Sequence, residues 1–321
     1  KLYTGSFTLS ETTVLRAIAF EEGKLPSPAE NRTYFIEDHH NLTVLSVMMN
    51  PRDLWDPVDG IYVKGYGASD RFPYYGANFW KDMEKPIHFE LYEPGGLLGL
   101  SFDAGIKIGG QFSRGMDQKI FNIFARNIYG FNEMNYPFFP RKEITSFKAI
   151  TLRTSGQDAP HSKIRDIMMT SLLEGTGLDY QDHRQAVLYL NGEYWGIYNI
   201  RERANHHFIA GNHELDPDRI DLLQANWIVR SGSNEHYLAM LDFVRNNNMA
   251  LEENYEYIKT QMDITNYIDA LIVQIYCAQT DQGNIRYWRE QNPEGKWRWL
   301  VYDLDWGCWP GHEQYKTLAS M

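Results

Sequence analysis

Residues Ile275–Trp306 read IYCAQTDQGNIRYWREQNPEGKWRWLVYDLDW, and this stretch decides how the rest of the chain is interpreted. A helical pattern ends near its start. Two strand-like runs, Asn284–Gln291 and Lys296–Tyr302, then flank an Asn-Pro-Glu-Gly turn at residues 292–295. Proline and glycine between runs of alternating aromatic residues are typical of a hairpin. The sequence therefore predicts a hairpin that follows a helix.

Four side chains that carry oxygen atoms are expected at the open end of this hairpin. With residues 292–295 as the loop, Asn284 lies opposite Asp303, and side chains that face each other have Cβ atoms about 4.5–5.5 Å apart. Asp281 and Asp305 are close by along the chain. Three carboxylates in a small volume repel one another unless a cation lies among them, and hard oxygen ligands suit Mg²⁺, Mn²⁺ or Ca²⁺ rather than zinc. The alternative is a solvated hairpin end that happens to be acidic.

Composition sets the broad class of the protein. The chain has 321 residues, enough for one large or two ordinary domains, and its hydrophobic fraction of 43% is that of an ordinary globular protein. The net charge of −11 argues against broad nucleic-acid binding but permits acidic substrates at a local basic pocket or a metal. No run of 18 apolar residues is present, so no transmembrane helix is expected, and no signal peptide is visible. Cys277 and Cys308 flank the acidic cluster and either form a disulfide or, in the commoner case, are two buried free thiols.

The first 37 residues read as a strand-rich segment that is too short for an independent all-β core. Either its partner strands are absent from this piece of chain, or the segment packs on the next domain. The pattern TVLRAIAF followed by TYFI resembles the last strands of the immunoglobulin-like domain at the C-terminus of chitobiases. The predicted strands are Leu2–Thr4, Ser6–Leu9, Thr12–Phe20 and Arg32–Ile36.

A second region with chemical potential is the small-residue loop Gly110–Gly115, GQFSRG, between two predicted strands. Backbone N–H groups in such a loop suit phosphate oxygens, and Ser113, Arg114 and Lys119 would add polar and charged contacts. The alternative is an ordinary hairpin loop with one surface lysine. The predicted flanking strands are Ala104–Gly109 and Lys119–Ala125.

The middle of the chain predicts a strand, a helix and a hairpin in that order. The strand is Lys148–Arg153, and Asn191-Gly192 is a strong type I′ turn signal for a hairpin of Gln185–Leu190 and Tyr194–Ile200. Asp166 lies beside the predicted core face of the helix. That face consists of Ile164, Ile167, Met168, Ser171 and Leu172.

After the hairpin, the chain leaves the sheet at Glu202 and the pattern turns helical. Two helices are predicted over Asn234–Arg245 and Leu251–Met262, and Asp263 can cap a third. The predicted core face of that third helix consists of Ile264, Ile268, Leu271, Ile272 and Ile275.

The order of these elements is that of the parts of a kinase-like phosphotransferase. Strands with a loop and a lysine come first, then one helix and a hairpin, and then a helical half that ends in an acidic cluster. Phosphoryl transfer consists mostly of positioning and charge neutralisation, which such parts supply. Over about residues 42–310 the chain resembles the CotH family, the spore-coat-protein-H-like atypical kinases. The segments that carry the resemblance are LSVMMNPRDLWDPVDGIYVKG, AGIKIGGQFSRGMDQKIFNIFARNIYG, LRTSGQD, VLYLNGEYWGIYNIRER, QTDQGNIRYWR and KWRWLVYDLDW.

The resemblance implies an α+β, divergent protein-kinase-like fold with two lobes, an antiparallel β-rich one and a mostly helical one. The implied division is a partial β-sandwich segment at residues 1–37, a β-rich lobe at about 38–203 and a helical lobe at about 204–321. It also implies ATP- and metal-dependent phosphorylation of Ser or Thr on a partner protein, with Mg²⁺ or Mn²⁺, or alternatively Ca²⁺. Many members are extracytoplasmic, so a bacterial cell-surface or secreted protein is expected.

The resemblance also assigns roles around the acidic cluster. Asp281 resembles the catalytic-loop aspartate that acts as the base, and Asn284 the metal-binding asparagine. Either Asp303 or Asp305 resembles the second metal-binding aspartate.

For the nucleotide, Lys119 resembles the phosphate-contacting lysine, on a loop that includes Ser113 and Arg114. Glu202 falls near the crossover where adenine binds in kinases, and Asp166 is the helix carboxylate expected to pair with Lys119. Two alternatives to an active kinase are a catalytically weak, carbohydrate-associated binding scaffold and a metal-dependent phosphoester hydrolase.

Overall fold

Strands and helices are mixed along the whole chain, and the computed structural model describes residues 2–279 and 281–309. This confirms the predicted α+β class. Within those residues the strands are β1 (Thr13–Ala17), β2 (Glu30–Tyr34), β3 (Thr43–Met48), β4 (Lys85–Tyr92), β5 (Leu98–Ile108), β6 (Phe121–Phe124), β7 (Met134–Asn135), β8 (Ser146–Phe147), β9 (Ala149–Arg153), β10 (Asp179–Tyr180), β11 (His183–Leu190), β12 (Glu193–Glu202), β13 (Ile220–Gln224), β14 (Ile228–Ser231), β15 (Arg286–Glu290) and β16 (Arg298–Val301). The α-helices are α1 (Pro51–Trp55), α2 (Arg165–Ser171), α3 (His206–His213), α4 (Glu235–Asn246), α5 (Glu252–Gln261) and α6 (Ile264–Tyr276).

The chain forms two compact units whose segments alternate along the sequence. Unit 1 consists of Lys1–Phe138, Lys148–Thr154 and Arg184–Ile200. Unit 2 consists of Phe139–Phe147, Ser155–His183 and Arg201–Met321. In the part of the chain that the structure describes, no helix has the length and apolar character to span a membrane.

Unit 1 is built on a closed barrel of seven strands in the order β11-β12-β9-β6-β5-β4-β3. The barrel closes through β3 and β11, which run parallel with Thr43 opposite Ala186 and Leu190 opposite Val47. Every residue of β3 is buried, as expected for a strand whose two faces are both covered. Closure leaves the sheet without a free edge. The sequence did not predict it, because β3 and β11 are far apart in the chain and neighbouring strands are usually sequential.

The hairpin of β11 and β12 is confirmed, together with its turn. Asn191 and Gly192 have φ values of 52° and 87°, the two positive values that a type I′ turn requires. Asn191 also accepts a hydrogen bond from the Met49 N–H at 2.8 Å through its side chain. The turn is therefore fixed both by its own backbone and by a contact with the chain that follows β3.

The N-terminal segment packs on the barrel of unit 1, which is one of the two outcomes that the sequence left open. β1 and β2 are antiparallel, with Thr13 opposite Tyr34. The Thr33 N–H donates to Glu90 Oε2 at 3.0 Å, and the hydroxyls of Thr33 and Ser46 are 2.7 Å apart. The predicted strands Leu2–Thr4 and Ser6–Leu9 are wrong, since both stretches have irregular backbone without strand pairing.

Unit 2 contains a mixed five-stranded sheet in the order β10-β16-β15-β13-β14. Its main core surrounds the fully buried Trp297, with Leu223, Val301 and Leu304 among its members. The prediction of a mostly helical region after residue 204 is therefore incomplete. The sequence did not predict β13 and β14, because the turn between them contains no glycine. Instead, Ala225 and Trp227 adopt the left-handed region there, at φ values of 47° and 62°.

The predicted hairpin of β15 and β16 exists, but its register differs by one residue. Arg286 pairs with Leu300 and Trp288 with Arg298, so Asn284 and Asp303 are not directly opposite. The loop is longer than the four predicted residues because it folds back on itself. The Gly295 N–H donates to the Asn292 carbonyl at 3.2 Å, and the Asn292 N–H to the Glu290 carbonyl at 2.9 Å.

The predicted core face of α2 is largely wrong. Ile164, which caps the helix, Met168 and Leu172 are exposed, while Asp166 is buried, as are Ile167, Met169 and Thr170. Asp166 takes the inner position because it forms an ion pair with the buried Arg201. Hydrophobic periodicity cannot detect a buried polar residue that has a dedicated partner.

In α6, too, a buried polar residue with its own partner changes which face of the helix is buried. Its cap is confirmed, since the Asp263 side chain accepts from the Asn266 N–H at 3.0 Å. However, Ile268 and Ile272 of the predicted core face are exposed, and so is Ile275. The buried positions are taken by Ala270 and by Asn266, whose Oδ1 accepts from the Trp299 N–H of β16 at 2.6 Å.

Candidate functional site

Two backbone segments of unit 2 form the acidic site. Asp281 caps a 3-10 turn over Gln282–Asn284, shortly after α6 ends, and Asp303 follows β16. Ala278 and Asp303 have φ values of 48° and 63°, in the left-handed region that residues other than glycine rarely adopt. Backbone strain of this kind concentrates at functional sites, where the surrounding structure holds it in place.

The structure brings three of the four predicted ligands together. The amide nitrogen of Asn284 donates to Asp281 Oδ2 at 2.8 Å and to Asp303 Oδ2 at 2.7 Å. We call Asp281, Asn284 and Asp303 the acidic trio. The trio forms although the predicted register is wrong, because Asn284 lies beyond the paired part of β15 and reaches the end of β16 from there.

The fourth predicted ligand, Asp305, contacts another part of unit 2. Its side chain is buried, and Oδ2 accepts a hydrogen bond from the Gln157 N–H at 3.0 Å. Asp305 therefore fixes the 3-10 turn Gly156–Asp158. Of the two aspartates that the sequence left as alternatives, Asp303 is the one that accepts a hydrogen bond from Asn284.

Electrostatics at the trio disfavour the charged form of Asp281. Burial raises the pKa of Asp281, the Gly283 N–H at 3.1 Å from Oδ1 lowers it, and the nearby Asp303 carboxylate raises it. Across residues 2–279 and 281–309, no three or more Asp, Glu, His or Cys side chains are arranged to hold a metal by themselves. The two carboxylates are nevertheless of the kind that Mg²⁺ takes, since this ion commonly binds one or two carboxylates and completes its shell with phosphate oxygens and water.

The backbone around Asp303 is held on both sides. The buried Gln279 side chain donates to the Asp303 carbonyl at 2.7 Å, and the Leu304 N–H donates to Asp166 Oδ1 at 2.8 Å. Asp166 in turn pairs with Arg201. The sequence reasoning missed Gln279 and Arg201. Nothing in the local sequence pattern marks Gln279. A signal for Arg201 did exist, because Asp166 is an acidic residue beside an apolar helix face and needs a basic partner if it is buried.

Glu202 lies within a polar cluster of unit 2. Its carboxylate accepts from the Asp182 N–H at 2.8 Å and from the Asn212 amide at 3.1 Å, and it pairs with the Lys142 ammonium. The Glu202 carbonyl accepts from Gln181. The cluster makes Glu202 a buried structural centre, and its predicted contact with adenine stays a prediction.

In unit 1, Lys119 is buried, with 3% of its surface exposed. Its ammonium donates to the carbonyls of Arg114 at 2.7 Å and Met116 at 2.9 Å, and it lies 3.9 Å from the centroid of the Phe79 ring. Burial lowers the pKa of Lys119 to about 8. The alternative of one surface lysine beside an ordinary loop is therefore wrong, since this ammonium is enclosed by the loop itself.

The loop before Lys119 forms a 3-10 turn over Phe112–Gly115. The Arg114 guanidinium donates to the carbonyls of Gly110 and Phe79, both at 2.8 Å. Ser113 is buried, and a Cβ atom at Gly110 would lie only 2.1 Å from Ser113 Oγ, so this position requires glycine. The side chains of Lys119 and Arg114 thus hold carbonyls of unit 1 in place. Phosphate binding by this loop stays a prediction.

The comparisons with known proteins bear on this region. A family model described as CotH kinase protein matches residues 106–320, which is more than half of the chain. The match begins within β5 and includes Lys119 and the acidic trio. No curated protein matches the chain significantly. The first 37 residues lie outside the match, so their resemblance to a chitobiase domain stays a prediction.

Proposed function

The chain belongs to the CotH kinase family, and from this membership we propose that it transfers the γ-phosphate of ATP to a serine or threonine hydroxyl of a partner protein. The family implies nucleotide and a divalent metal in general terms. The observation that carries the proposal for this chain is the acidic trio, in which Asn284 joins two carboxylates. A divergent two-lobe kinase arrangement and a location outside the cytoplasm of a bacterium belong to the same proposal.

We assign the metal-binding role to Asp303 and Asn284, with Mg²⁺ or Mn²⁺ as the candidate ions and Ca²⁺ as a further one. When bound, such a cation would neutralise charge on the transferred phosphoryl group. Asp305 is assigned a structural role because its Oδ2 accepts the Gln157 N–H.

Asp281 is proposed as the base that accepts the proton of the acceptor hydroxyl. A carboxylate whose pKa is raised by burial is a better proton acceptor than an exposed one. The second carboxylate oxygen is held by the Asn284 amide, which orients the group. The proton thus passes from the acceptor oxygen to Asp281 as the new oxygen–phosphorus bond forms, while the bond from the γ-phosphorus to the bridging oxygen breaks and ADP leaves.

Lys119 is proposed to neutralise phosphate charge. An ammonium has three N–H donors, and two of them are used by the carbonyls of Arg114 and Met116. The third N–H is the one assigned to a phosphate oxygen. Ser113 and Arg114 are proposed to contact the nucleotide phosphates, and Glu202 to lie near adenine.

The experiment is transfer of labelled γ-phosphate from ATP to candidate acceptor proteins with Mg²⁺ or Mn²⁺. We expect labelled phosphoserine or phosphothreonine with the wild type and none above background with Asp281→Ala. Equal labelling by both proteins would remove this mechanism. ATP consumption without labelled acceptor would identify the chain as a metal-dependent phosphohydrolase instead.

The pH dependence of ATP binding tests the role of Lys119. Its folded-state pKa is about 8, so the side chain is charged below this pH and neutral above it. We expect the ATP affinity of the wild type to fall several-fold between about pH 7 and pH 9.5, as the ammonium loses its proton. Isothermal titration calorimetry with ATP measures this. Lys119→Arg is the matched control, because a guanidinium keeps its charge over this range, and identical pH profiles for the two proteins would contradict the role.

A glycan-binding scaffold is the second candidate, and one observation favours it. Residues 64–81 and the neighbouring loop of unit 1 expose aromatic side chains, with Tyr66 at 84% and Phe72, Tyr75 and Phe112 each above 50%. Exposed rings of this kind stack on sugar faces. Binding to a glycan array that needs no nucleotide, survives Asp281→Ala and is lost in Tyr66→Ala would support this function over the kinase.

A further inference from the structure

The two cysteines of the chain lie next to each other in unit 2. The Cys308 N–H donates to the Cys277 carbonyl at 2.6 Å. A backbone hydrogen bond of this kind brings the two Cα atoms to within about 6 Å, inside the range of about 4.4–6.8 Å that a disulfide spans. A Cβ atom at Gly307 would lie 3.0 Å from the same carbonyl, which confirms the close approach of the two segments.

The two thiols differ in accessibility. Cys277 is buried at the end of α6, whereas Cys308 is exposed, and both are free thiols. The sequence expectation of two buried thiols is therefore wrong for Cys308. The backbone on the Cys308 side is held in place, since the Arg165 guanidinium donates to the carbonyls of Gly307, at 3.0 Å, and Cys308. Neither segment needs to travel far for the sulfur atoms to meet.

We propose that Cys277 and Cys308 form an intramolecular disulfide by exchange with a low-molecular-weight or protein disulfide. The resulting ring would enclose Asp281, Asn284 and Asp303, so the bond would tie together the two segments that carry the acidic trio. This inference does not depend on the proposed kinase function, because bond formation is measured on the protein itself.

The exchange balances in two steps. The Cys308 thiolate attacks the small disulfide RSSR, which releases one thiolate RS⁻ and leaves a mixed disulfide on Cys308. The Cys277 sulfur then loses its proton and attacks the Cys308 sulfur, which releases the second RS⁻. Two protein thiols are oxidised and one RSSR is reduced to two RSH. Burial, and then the charge of Cys308, raise the pKa of Cys277 to about 12, so the exposed Cys308 starts the reaction.

The test is exposure of the reduced full chain to oxidised glutathione. After acid quenching, we expect an intact mass lower by two hydrogens, no attached glutathione, and no alkylatable thiol after denaturation. The melting temperature should rise by about 5 °C, as a ring of about 30 residues restricts the unfolded chain. Stable glutathione on Cys308, a disulfide-linked dimer, or two remaining thiols would each overturn the proposal.

Two single variants serve as controls. Cys308→Ser changes an exposed side chain and should leave Cys277 unreacted, with no rise in melting temperature on oxidation. Cys277→Ala should trap one glutathione on Cys308, because no second thiol can displace it. If Cys277→Ala does not fold, Cys308→Ser alone decides, since glutathione attached to Cys277 in that variant would contradict the assignment of Cys308 as the attacking thiol.

Discussion

Asp303→Asn is expected to lower the kcat/KM of phosphotransfer by at least about 100-fold, the size of effect seen when one preorganised charge-stabilising group is removed. Asparagine keeps the shape of the side chain and an oxygen that can accept from the Asn284 amide, now at 2.7 Å from Asp303 Oδ2. It also tolerates the left-handed φ of 63° at this position. The fold should therefore survive, while the negative charge that we propose to hold a cation is lost.

The measurement is the initial rate of labelled phosphate transfer over a range of Mg²⁺ concentrations, together with the melting temperature. Asp305→Asn is the matched control, since it removes the neighbouring charge but keeps an acceptor for the Gln157 N–H. The control should retain most of the wild-type rate. If Asp305→Asn lost the activity and Asp303→Asn kept it, the assignment of the two aspartates would be reversed.

Arg201→Met is expected to destabilise the protein by about 3–5 kcal/mol, the usual cost of leaving one partner of a buried ion pair alone. The side chains of Arg201 and Asp166 are 1% and 2% exposed, so water cannot replace the lost guanidinium. Asp166 also accepts the Leu304 N–H at 2.8 Å, directly beside Asp303. The loss of stability should therefore be accompanied by a disturbed acidic trio.

Urea unfolding followed by tryptophan fluorescence measures the change in the free energy of unfolding. Arg126→Met provides the comparison, because Arg126 is 45% exposed in its pair with Glu84, and an exposed pair contributes at most about 1 kcal/mol. The double variant Arg201→Met/Asp166→Leu should recover part of the loss, since no charge remains buried. A change for Arg201→Met no larger than that for Arg126→Met would show that the buried pair adds little to stability.

Local chemistry made parts of this structure predictable. The Asn191-Gly192 turn identified its hairpin because only a few residues adopt two successive positive φ values. The acidic trio was predicted from proximity to a hairpin end, and it tolerated an error of one residue in the register because Asn284 lies outside the paired strands. Features that depend on one short segment were thus accessible from the sequence.

Other parts were hidden because they depend on distant partners. The inner positions of Asp166 and Asn266 are set by Arg201 and by the backbone of Trp299, so the apolar stripes of α2 and α6 pointed to the wrong faces. The contacts of Ser113 and Arg114 depend on the 3-10 turn over Phe112–Gly115, which brings the Arg114 side chain to the Gly110 carbonyl. The composition of the loop does not reveal this turn.

The parallel pairing of β3 with β11 also has a consequence for biosynthesis. β3 ends at Met48 and its partner at Leu190, so a ribosome must release the later strand before the barrel can close. Until then, the edge of the apolar strand β3 that pairs with β11 stays unpaired, and an edge of this kind favours aggregation. Gene fragments that stop before β11 should consequently yield insoluble product.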